Sequence, residues 1–213
     1  SARLMYAIRY NKPEAAAVLI GCERVDCTIE DRYHRSPGYL AAYCGHVGCL
    51  AQLHGRGVDL RERCSYGFAP LHGAINNSPA EVTSWLLTEG NADPNGLDRY
   101  GDSPLYYACD KGQTAIAVLL LESGAVVALG RWSPLILVLR NNDTELIQLL
   151  LSTRGFVRVL QWPGKEDDET PLDVVRRTGN AVLITLFADA MEVAKVRVCV
   201  FVSMCALLFV VQD

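Results

Sequence analysis

The sequence lacks a concentration of basic residues. Its 213 residues include 20 Lys and Arg against 24 Asp and Glu, which gives a formal net charge of −4. Proteins that bind nucleic acid or an anionic membrane surface electrostatically gather Lys and Arg on one face. Because no such gathering is visible, we expect no nucleic-acid partner.

The sequence also lacks the cysteine pattern of a disulfide-bonded or zinc-ribbon protein. Its eight cysteines are spread along the chain and include no Cys-x-x-Cys pair. The opening residues, SARLMYAIRYNKPEAA, have no long apolar core behind a basic region, so no signal peptide is visible. We therefore expect reduced thiols and a cytoplasmic location, with the nucleus as an open alternative.

Catalytic signatures are missing as well. The four histidines are scattered, and neither a Gly-x-Ser-x-Gly motif nor a glycine-rich phosphate loop occurs. One dense acidic run, EDDE at 166–169, falls in a loop, where it either is solvated or docks a basic partner. We assign no catalytic residue and no cofactor, and we expect that the protein is not an enzyme.

What the sequence does contain is an internal repeat. A Ser/Thr/Ala-Pro step opens five segments, with prolines at 37, 70, 104, 134 and 171, which are 33, 34, 30 and 37 residues apart. An opening copy, RLMYAIRYNKPEAAAVLI, lacks the proline and places Ala7 in register with Ala41, 34 residues later. One supersecondary unit is therefore repeated six times.

Each unit has the signals of a helical hairpin. A capping residue precedes the proline at the first helical position in four copies, namely Ser36, Ser103, Ser133 and Thr170. A residue suited to a left-handed turn follows the first helix at Asn11, Gly45, Gly112, Asn142 and Gly179, with Ser78 as the exception. A second apolar helix follows, and it is predicted to close at Gly57, Gly90 or Gly124. A small position in the first helix lets neighbouring helices approach: Ala7, Ala41, Ala74 and Ala108, then Val138 and Val175. Since one hairpin cannot bury its own apolar face, the units must stack.

The segment GDSPLYYACDKGQTAIAVLLLESGA, residues 101–125, resembles an ankyrin repeat, and APLHGA and AAYCGH match other parts of the same pattern. The resemblance covers roughly residues 2–190. It implies an all-α repeat solenoid of antiparallel helix pairs with β-hairpin fingers, which binds other proteins. We predict an array over 1–190 whose first and last copies are atypical, with units near 2–33, 34–66, 67–100, 101–130, 131–167 and 168–190.

Two segments depart from the repeat. The lengthened connection around 152–169 is expected to be the least ordered part of the array. The apolar tail, 191–213, contains fourteen uncharged residues at 198–211, fewer than the ~20 needed to span a bilayer. It either caps or packs on the last unit, begins a truncated membrane segment, or is an abnormal terminus.

The stretch CGHVGC offers three metal-ligand types, Cys44, His46 and Cys49. A zinc site needs about four ligands that converge. The register instead aligns Cys49 with the core positions Ala15, Val82, Ile116, Leu146 and Leu183, and places Cys44 at the exposed end of a helix. The three side chains should therefore point in different directions, and we assign no metal ligand.

The binding surface is predicted from the repeat. In ankyrin-like units the finger tips and the exposed end of the first helix face the concave groove, and a tyrosine recurs there at Tyr33, Tyr66 and Tyr100. Aromatic residues and arginine dominate interface energies, although these tyrosines could equally pack finger against finger. The full set of predicted partner-binding residues is Arg32, Tyr33, Arg35, Tyr43, Tyr66, Phe68, Asn76, Asn77, Arg99, Tyr100, Asp102, Asp110, Lys111, Trp132 and Arg140.

Two functions are compatible with these features. The first is a monomeric protein-interaction module, an adaptor or scaffold that binds a partner protein or peptide of unknown identity through its concave face. The second is the cytosolic ankyrin domain of a larger membrane protein, of channel or acyltransferase type, cut where its membrane region starts. Further apolar spans of ~20 residues beyond Asp213 in the reading frame would favour the second.

Overall fold

A computed structural model describes residues 2–33, 35–64, 66–153, 156–160 and 169–193, without the side chains of Val157 and Val193. The chain divides into two compact units, 1–125 and 126–213. The first unit holds the helix pairs of the first four predicted repeats, and the second holds those of the last two.

The first unit is a stack of four antiparallel helix pairs. Its helices are α1 (Ala2–Arg9), α2 (Pro13–Gly21), α3 (Pro37–Cys44), α4 (Val47–Gly55), α5 (Pro70–Asn77), α6 (Ala80–Thr88), α7 (Pro104–Asp110) and α8 (Thr114–Glu122). The inner helices α1, α3, α5 and α7 pack successively on one another, while in the outer layer α2 packs on α4 and α6 packs on α8. This is the predicted all-α repeat solenoid, and the fold class is confirmed.

The second unit continues the same pattern. Its helices are α9 (Pro134–Arg140), α10 (Thr144–Ser152), the short α11 (Phe156–Val159), α12 (Pro171–Thr178) and α13 (Ala181–Val193). Helix α9 packs on α12, and α10 packs on α13. The predictions on the order of residues 152–169 and on the tail fall largely on 154–155, 161–168 and 194–213, which lie outside the described residues.

Three of the four predicted N-caps are formed. The hydroxyls of Ser36 and Ser103 each accept the N–H of the third helical residue at 3.1 Å, and Thr170 forms a reciprocal capping box with Asp173. Ser133 precedes α9 as predicted, but its side chain makes no cap hydrogen bond. Its ψ is 116°, compared with 160° at Ser36 and 159° at Ser103, so the backbone that leads into α9 differs from that of the two capped helices.

The turn residues follow the prediction closely. Left-handed φ values occur at all five predicted positions between the paired helices, Asn11, Gly45, Gly112, Asn142 and Gly179. Ser78 is extended, and its hydroxyl donates to the carbonyl oxygens of Ala42 at 2.6 Å and Tyr43 at 3.1 Å. Of the predicted closing glycines, Gly57 and Gly124 have left-handed φ, whereas in the third copy Asn91 takes that conformation instead of Gly90. A Cβ on Gly90 would lie 2.9 Å from the Leu86 carbonyl oxygen, so glycine is needed there for space.

The predicted small positions are where the inner helices meet. All six lie in the interior, at most 3% exposed: Ala7, Ala41, Ala74, Ala108, Val138 and Val175. A Cβ on Gly73 would lie 3.1 Å from both the ring and the carbonyl oxygen of Tyr39, which makes the α3–α5 contact especially close. In the outer helices, the register is correct for Cys49, which is 6% exposed, but wrong for Ala15, which is exposed while the adjacent Ala16 is buried. The buried face of α2 is therefore displaced by one residue from the position that the register predicts.

The fingers of the first unit are tight turns. In each of the three fingers the backbone N–H of one residue donates to the carbonyl oxygen of the fourth residue after it, at 3.0 Å. These pairs are Asp31 and Arg35 in the first finger, Cys64 and Phe68 in the second, and Asp98 and Asp102 in the third. Within the described residues these connections contain no β-strand. Of the predicted β-hairpins, therefore, only the turns are formed.

Candidate partner-binding surface

The third finger is held by a buried aspartate. The Oδ1 atom of Asp98 accepts the N–H groups of Tyr100 at 2.8 Å and Asp102 at 2.9 Å, and Oδ2 accepts the hydroxyl of Tyr107 at 2.7 Å. Burial, followed by the contact with Asp98, raises the pKa of Tyr107 above its ordinary value, so this phenol stays protonated and keeps donating. The finger is thereby fixed to the inner helix α7.

The first finger has the same organisation with an added ion pair. Asp31 accepts the N–H groups of Tyr33 at 2.8 Å and Arg35 at 3.0 Å, and its second oxygen pairs with the Arg35 guanidinium at 2.5 Å. Partial burial acts to raise the pKa of Asp31, but the hydrogen bonds from Arg35 and Tyr33 outweigh it and lower the pKa. Arg35 was predicted to contact a partner, yet its guanidinium is engaged within the finger.

The second finger has Cys64 where the other two have aspartate, and it is held by its neighbour instead. The N–H of Arg99, in the third finger, donates to the Tyr66 carbonyl oxygen at 3.3 Å, and the Arg63 guanidinium donates to the Leu97 carbonyl oxygen at 2.5 Å. A Cβ on Gly67, whose φ is +77°, would lie 2.5 Å from the Arg99 nitrogen. The second and third fingers therefore touch backbone to backbone.

The three tip tyrosines form a row of exposed rings, each stacked against arginine. Tyr33, Tyr66 and Tyr100 are 48%, 38% and 49% exposed. The guanidinium carbon of Arg99 lies 4.0 Å from the Tyr66 ring centroid and 4.7 Å from that of Tyr100. At the first finger, Arg32 lies 4.7 Å and Arg35 4.9 Å from the Tyr33 centroid.

A second aromatic row lies beneath the tips, formed by rings of the inner helices together with Phe68 of the second finger. Ring centroids are 6.2 Å apart for Tyr39 and Tyr43, 6.4 Å for Tyr39 and Phe68, and 6.3 Å for Phe68 and Tyr107. The buried His72 ring completes the row at 5.8 Å from Phe68, and burial lowers its pKa to about 4. Phe68 and Tyr43 were predicted for this surface; Tyr39, His72 and Tyr107 were not, because their spacing resembles ordinary core packing.

The polar residues predicted on the inner helices differ in their accessibility. Asp110 and Lys111 are exposed at the end of α7, and Asn76 is half-buried on α5. Asn77 donates its side-chain amide to the Tyr43 carbonyl oxygen at 3.1 Å. Asp102 is only 4% exposed, because it closes the finger turn at its base instead of lying at the tip. It is therefore not available to a partner.

In the second unit, two predicted contact residues are described. Trp132 is half-buried, and the guanidinium carbon of Arg131 lies 4.7 Å from its ring centroid. Arg140 pairs at 3.5 Å with Glu169, which also pairs at 2.8 Å with Arg177. Glu169, the described end of the acidic run, thus serves an ion-pair network within the unit.

One part of the surface was missed by sequence reasoning. A groove of about 500 Å³ lies between α1 and the first finger, and Tyr6, Arg9, Tyr10 and Ile29 line it together with finger residues. The sequence did contain an indication that Arg9 belongs to the binding surface. The repeat register that aligns Ala7 with Ala41 also aligns Arg9 with Tyr43, which was predicted to contact a partner.

The stretch CGHVGC is divided between environments. Cys49 is buried, Cys44 and His46 are half-buried, and burial raises the pKa of both thiols. Among the described residues, no three His, Cys, Asp or Glu side chains converge as metal ligands would. In the same part of the chain, no helix has the length and apolar character needed to cross a membrane. The tail that raised this question, from 194 onward, lies outside the described residues.

Helix pairs that stack through small inner positions, with fingers presenting aromatic and cationic side chains, define a helical repeat scaffold of the kind that binds proteins. The family model for ankyrin repeats (3 copies) matches residues 4–98 and 52–131. The chain belongs to the ankyrin-repeat family.

Several curated proteins are similar over parts of the chain. Neurogenic locus notch homolog protein 1 of Danio rerio is 32% identical over 124 residues, which is 57% of this chain and 5% of the relative. The nuclear factor NF-kappa-B p105 subunit of Gallus gallus is 29% identical over 98 residues, 46% of this chain and 10% of the relative. Tyrosine-protein kinase HTK16 of Hydra vulgaris is 25% identical over 134 residues, 61% of this chain and 17% of the relative.

These similarities extend over short parts of the relatives. The chain covers between 5% and 17% of the length of the three relatives named. Ankyrin repeats typically mediate protein–protein interaction and are not enzymes, and the kinase activity in the name of HTK16 belongs to that protein as a whole.

Proposed function

We propose that this protein is a non-enzymatic interaction module that binds a partner protein or peptide through the finger tips and inner helices of its first unit. The observation that carries the proposal is the row of three half-exposed tip tyrosines, each stacked on arginine. Tyrosine and arginine supply large contact areas and are enriched in the residues that dominate binding energy.

The stacking favours binding as well as stability. A ring that lies against a guanidinium is already restricted in its rotamers, so a partner loses less side-chain entropy when it contacts that ring. Within the aromatic row, Tyr43, Phe68 and Tyr107 are half-buried and extend the apolar contact area below the tips. The surface therefore combines fixed apolar anchors with a charged rim, the usual composition of a protein interface.

The experiment is a selection of peptide binders against the immobilised full chain, with a random displayed peptide library as the probe. Binders should be lost on a variant in which Tyr33, Tyr66 and Tyr100 are all replaced by alanine. A matched control replaces two exposed apolar residues elsewhere, Val18 and Val182, which are 73% and 56% exposed, by serine. Helical circular dichroism and melting should be retained in both variants.

Binders that survive the tyrosine substitutions but fail on the Val18 and Val182 control would place the binding surface on the outer helices and overturn the proposal. A separate variant, Trp132→Ala, tests whether the second unit also contributes to partner binding. The cytoplasmic location, the monomeric state and the membrane-protein alternative remain predictions.

A further inference from the structure

The groove between α1 and the first finger holds much of the exposed apolar surface of the described residues. Tyr6, Tyr10, Ile29 and Tyr33 are 62%, 55%, 43% and 48% exposed, and all four line this groove. They make up four of the nine large hydrophobic side chains that are exposed among the described residues. Apolar side chains gathered in one concave place, unlike scattered ones, indicate a binding site.

The charge of the groove is opposite to that of the whole chain. Arg9, Arg32 and Arg35 line it against Glu30 and Asp31, which leaves a net charge of 3 − 2 = +1 in a chain of net charge −4. Arg35 and Asp31 neutralise each other at 2.5 Å. Among the described residues, Arg9 and Arg32 have no such ion pair, so their charges are available to a ligand.

The geometry of the rings argues against a cationic ligand. The ring of Tyr33 already has the guanidinium groups of Arg32 and Arg35 at 4.7 and 4.9 Å from its centroid. The rings of Tyr6 and Tyr10 pack on each other, with centroids 4.4 Å apart and planes inclined by 38°. An aromatic cage for an ammonium group needs ring faces that no other cation occupies, and at Tyr33 two arginines already compete for that position.

We propose that this groove binds an acidic linear segment of a partner protein, in which a carboxylate side chain lies next to an apolar one. The carboxylate pairs with Arg9 and Arg32, and the apolar side chain packs on Tyr6, Tyr10 and Ile29. Charge complementarity selects this partner over a basic or a neutral one. The proposal rests on the proposed function and specifies the chemistry of the ligand at one end of the surface.

The test is an NMR titration of the ¹⁵N-labelled full chain with three synthetic peptides of about ten residues. The first carries two glutamates flanked by leucine and phenylalanine, and in the other two both glutamates are replaced by glutamine or by lysine. We expect the acidic peptide to shift resonances of α1 and the first finger. It should bind about tenfold more tightly than the glutamine peptide, and its affinity should fall as salt is raised.

Paired variants locate the charge. Replacing Arg9 and Arg32 together by alanine should weaken the acidic peptide about tenfold and abolish the preference for glutamate over glutamine. The control replaces Arg3 and Arg24, two exposed arginines outside the groove, by alanine. It should leave the affinity for the acidic peptide and the preference for glutamate unchanged. Circular dichroism of each variant verifies that the fold is retained.

Three outcomes overturn the proposal: equal binding of the three peptides, tighter binding of the lysine peptide, or no saturable shift with the acidic peptide at about millimolar concentration. Shifts confined to Tyr66 and Tyr100 without charge preference would overturn it while leaving the proposed function intact. Loss of displayed binders on the Val18 and Val182 control, with binding kept on the tyrosine variant, would instead overturn the proposed function.

Discussion

The guanidinium carbon of Arg99 lies 4.0 Å from the ring centroid of Tyr66, and the Arg99 N–H donates to the Tyr66 carbonyl oxygen at 3.3 Å. One residue of the third finger therefore fixes both the backbone and the side chain of the second. The Tyr66 ring nevertheless remains 38% exposed. Packing of finger against finger and binding of a partner are thus compatible roles for the same ring.

The close approach of these fingers predicts a specific sensitivity at Gly67. Alanine there would place a Cβ 2.5 Å from the Arg99 nitrogen, at a φ of +77°. The left-handed conformation alone costs about 1–2 kcal/mol for a residue with a side chain, and the clash adds to it. We expect Gly67→Ala to reduce the free energy of unfolding by at least about 2 kcal/mol, measured by urea denaturation.

Gly55 provides the matched control for that substitution. It ends helix α4, and a Cβ built on it meets nothing within 4 Å. Alanine is favoured over glycine in a helix by about 0.5–1 kcal/mol, so Gly55→Ala should stabilise the protein slightly. Equal effects of the two substitutions would show that the fingers do not approach as described.

The capping serines give a second prediction, because identical residues at identical register positions differ in their contacts. The Ser103 hydroxyl accepts the Tyr106 N–H at 3.1 Å, whereas the buried Ser133 hydroxyl oxygen has no partner among the described residues. Ser103→Ala should cost about 1 kcal/mol of unfolding free energy. Ser133→Ala should be neutral or stabilising, since it removes an unsatisfied buried polar group. Chemical denaturation measures both unfolding free energies. An equal loss of unfolding free energy in the two variants would show that the two serines do not differ in their cap hydrogen bonds.

This pair of serines also illustrates what sequence could and could not predict. The helix starts marked by a proline, the left-handed residues between paired helices and the small inner positions follow from local chemistry that recurs in each repeat, so the sequence predicts them residue by residue. The missing cap at Ser133 accompanies a ψ of 116°, a backbone angle that the residue type alone does not fix. Likewise, the left-handed residue of the third copy is Asn91, while Gly90 fits beside Leu86 only because it lacks a Cβ.

The candidate site was predictable in part for a related reason. Repeat register gives the position of a residue along its helix, but it does not say which side chains pack beside it. Tyr6 aligns with Leu40, which is 2% exposed, yet Tyr6 itself is 62% exposed and lines the groove beside the first finger. Asp102 was placed at a tip because it is adjacent to Tyr100, whereas its backbone closes the turn and it becomes buried.

The buried histidine of the inner row predicts a pH dependence of stability. Burial lowers the pKa of His72 to about 4 from 6.5. The unfolded chain therefore takes up the proton first, so the contribution to stability is complete above pH 6.5 and is lost as the pH falls toward 4. At 1.36 kcal/mol for each pKa unit, this loss amounts to about 3 kcal/mol. We expect the difference in unfolding free energy between wild type and His72→Asn to shrink by that amount over this range, measured by urea denaturation at several pH values.

His54 is the control for this titration, since its side chain is exposed on the outer helix α4. The His54→Asn variant should keep the wild-type pH dependence of the unfolding free energy between pH 6.5 and 4. A His72→Asn variant that also kept it would show that His72 is not buried in the neutral form.

The last prediction concerns the stacked core. Leu120, on the outer helix α8, is fully buried. Replacing it by alanine leaves a cavity, which typically costs 2–5 kcal/mol for a buried leucine. Because each repeat is stabilised by its neighbours, the loss should appear as a lower unfolding free energy of the first unit.

The control Val18→Ala removes a side chain that is 73% exposed and should change the unfolding free energy by less than about 0.5 kcal/mol. If Leu120→Ala were as mild as Val18→Ala, α8 would not be packed on α6 through this face, and the register that aligns the outer helices would have to shift.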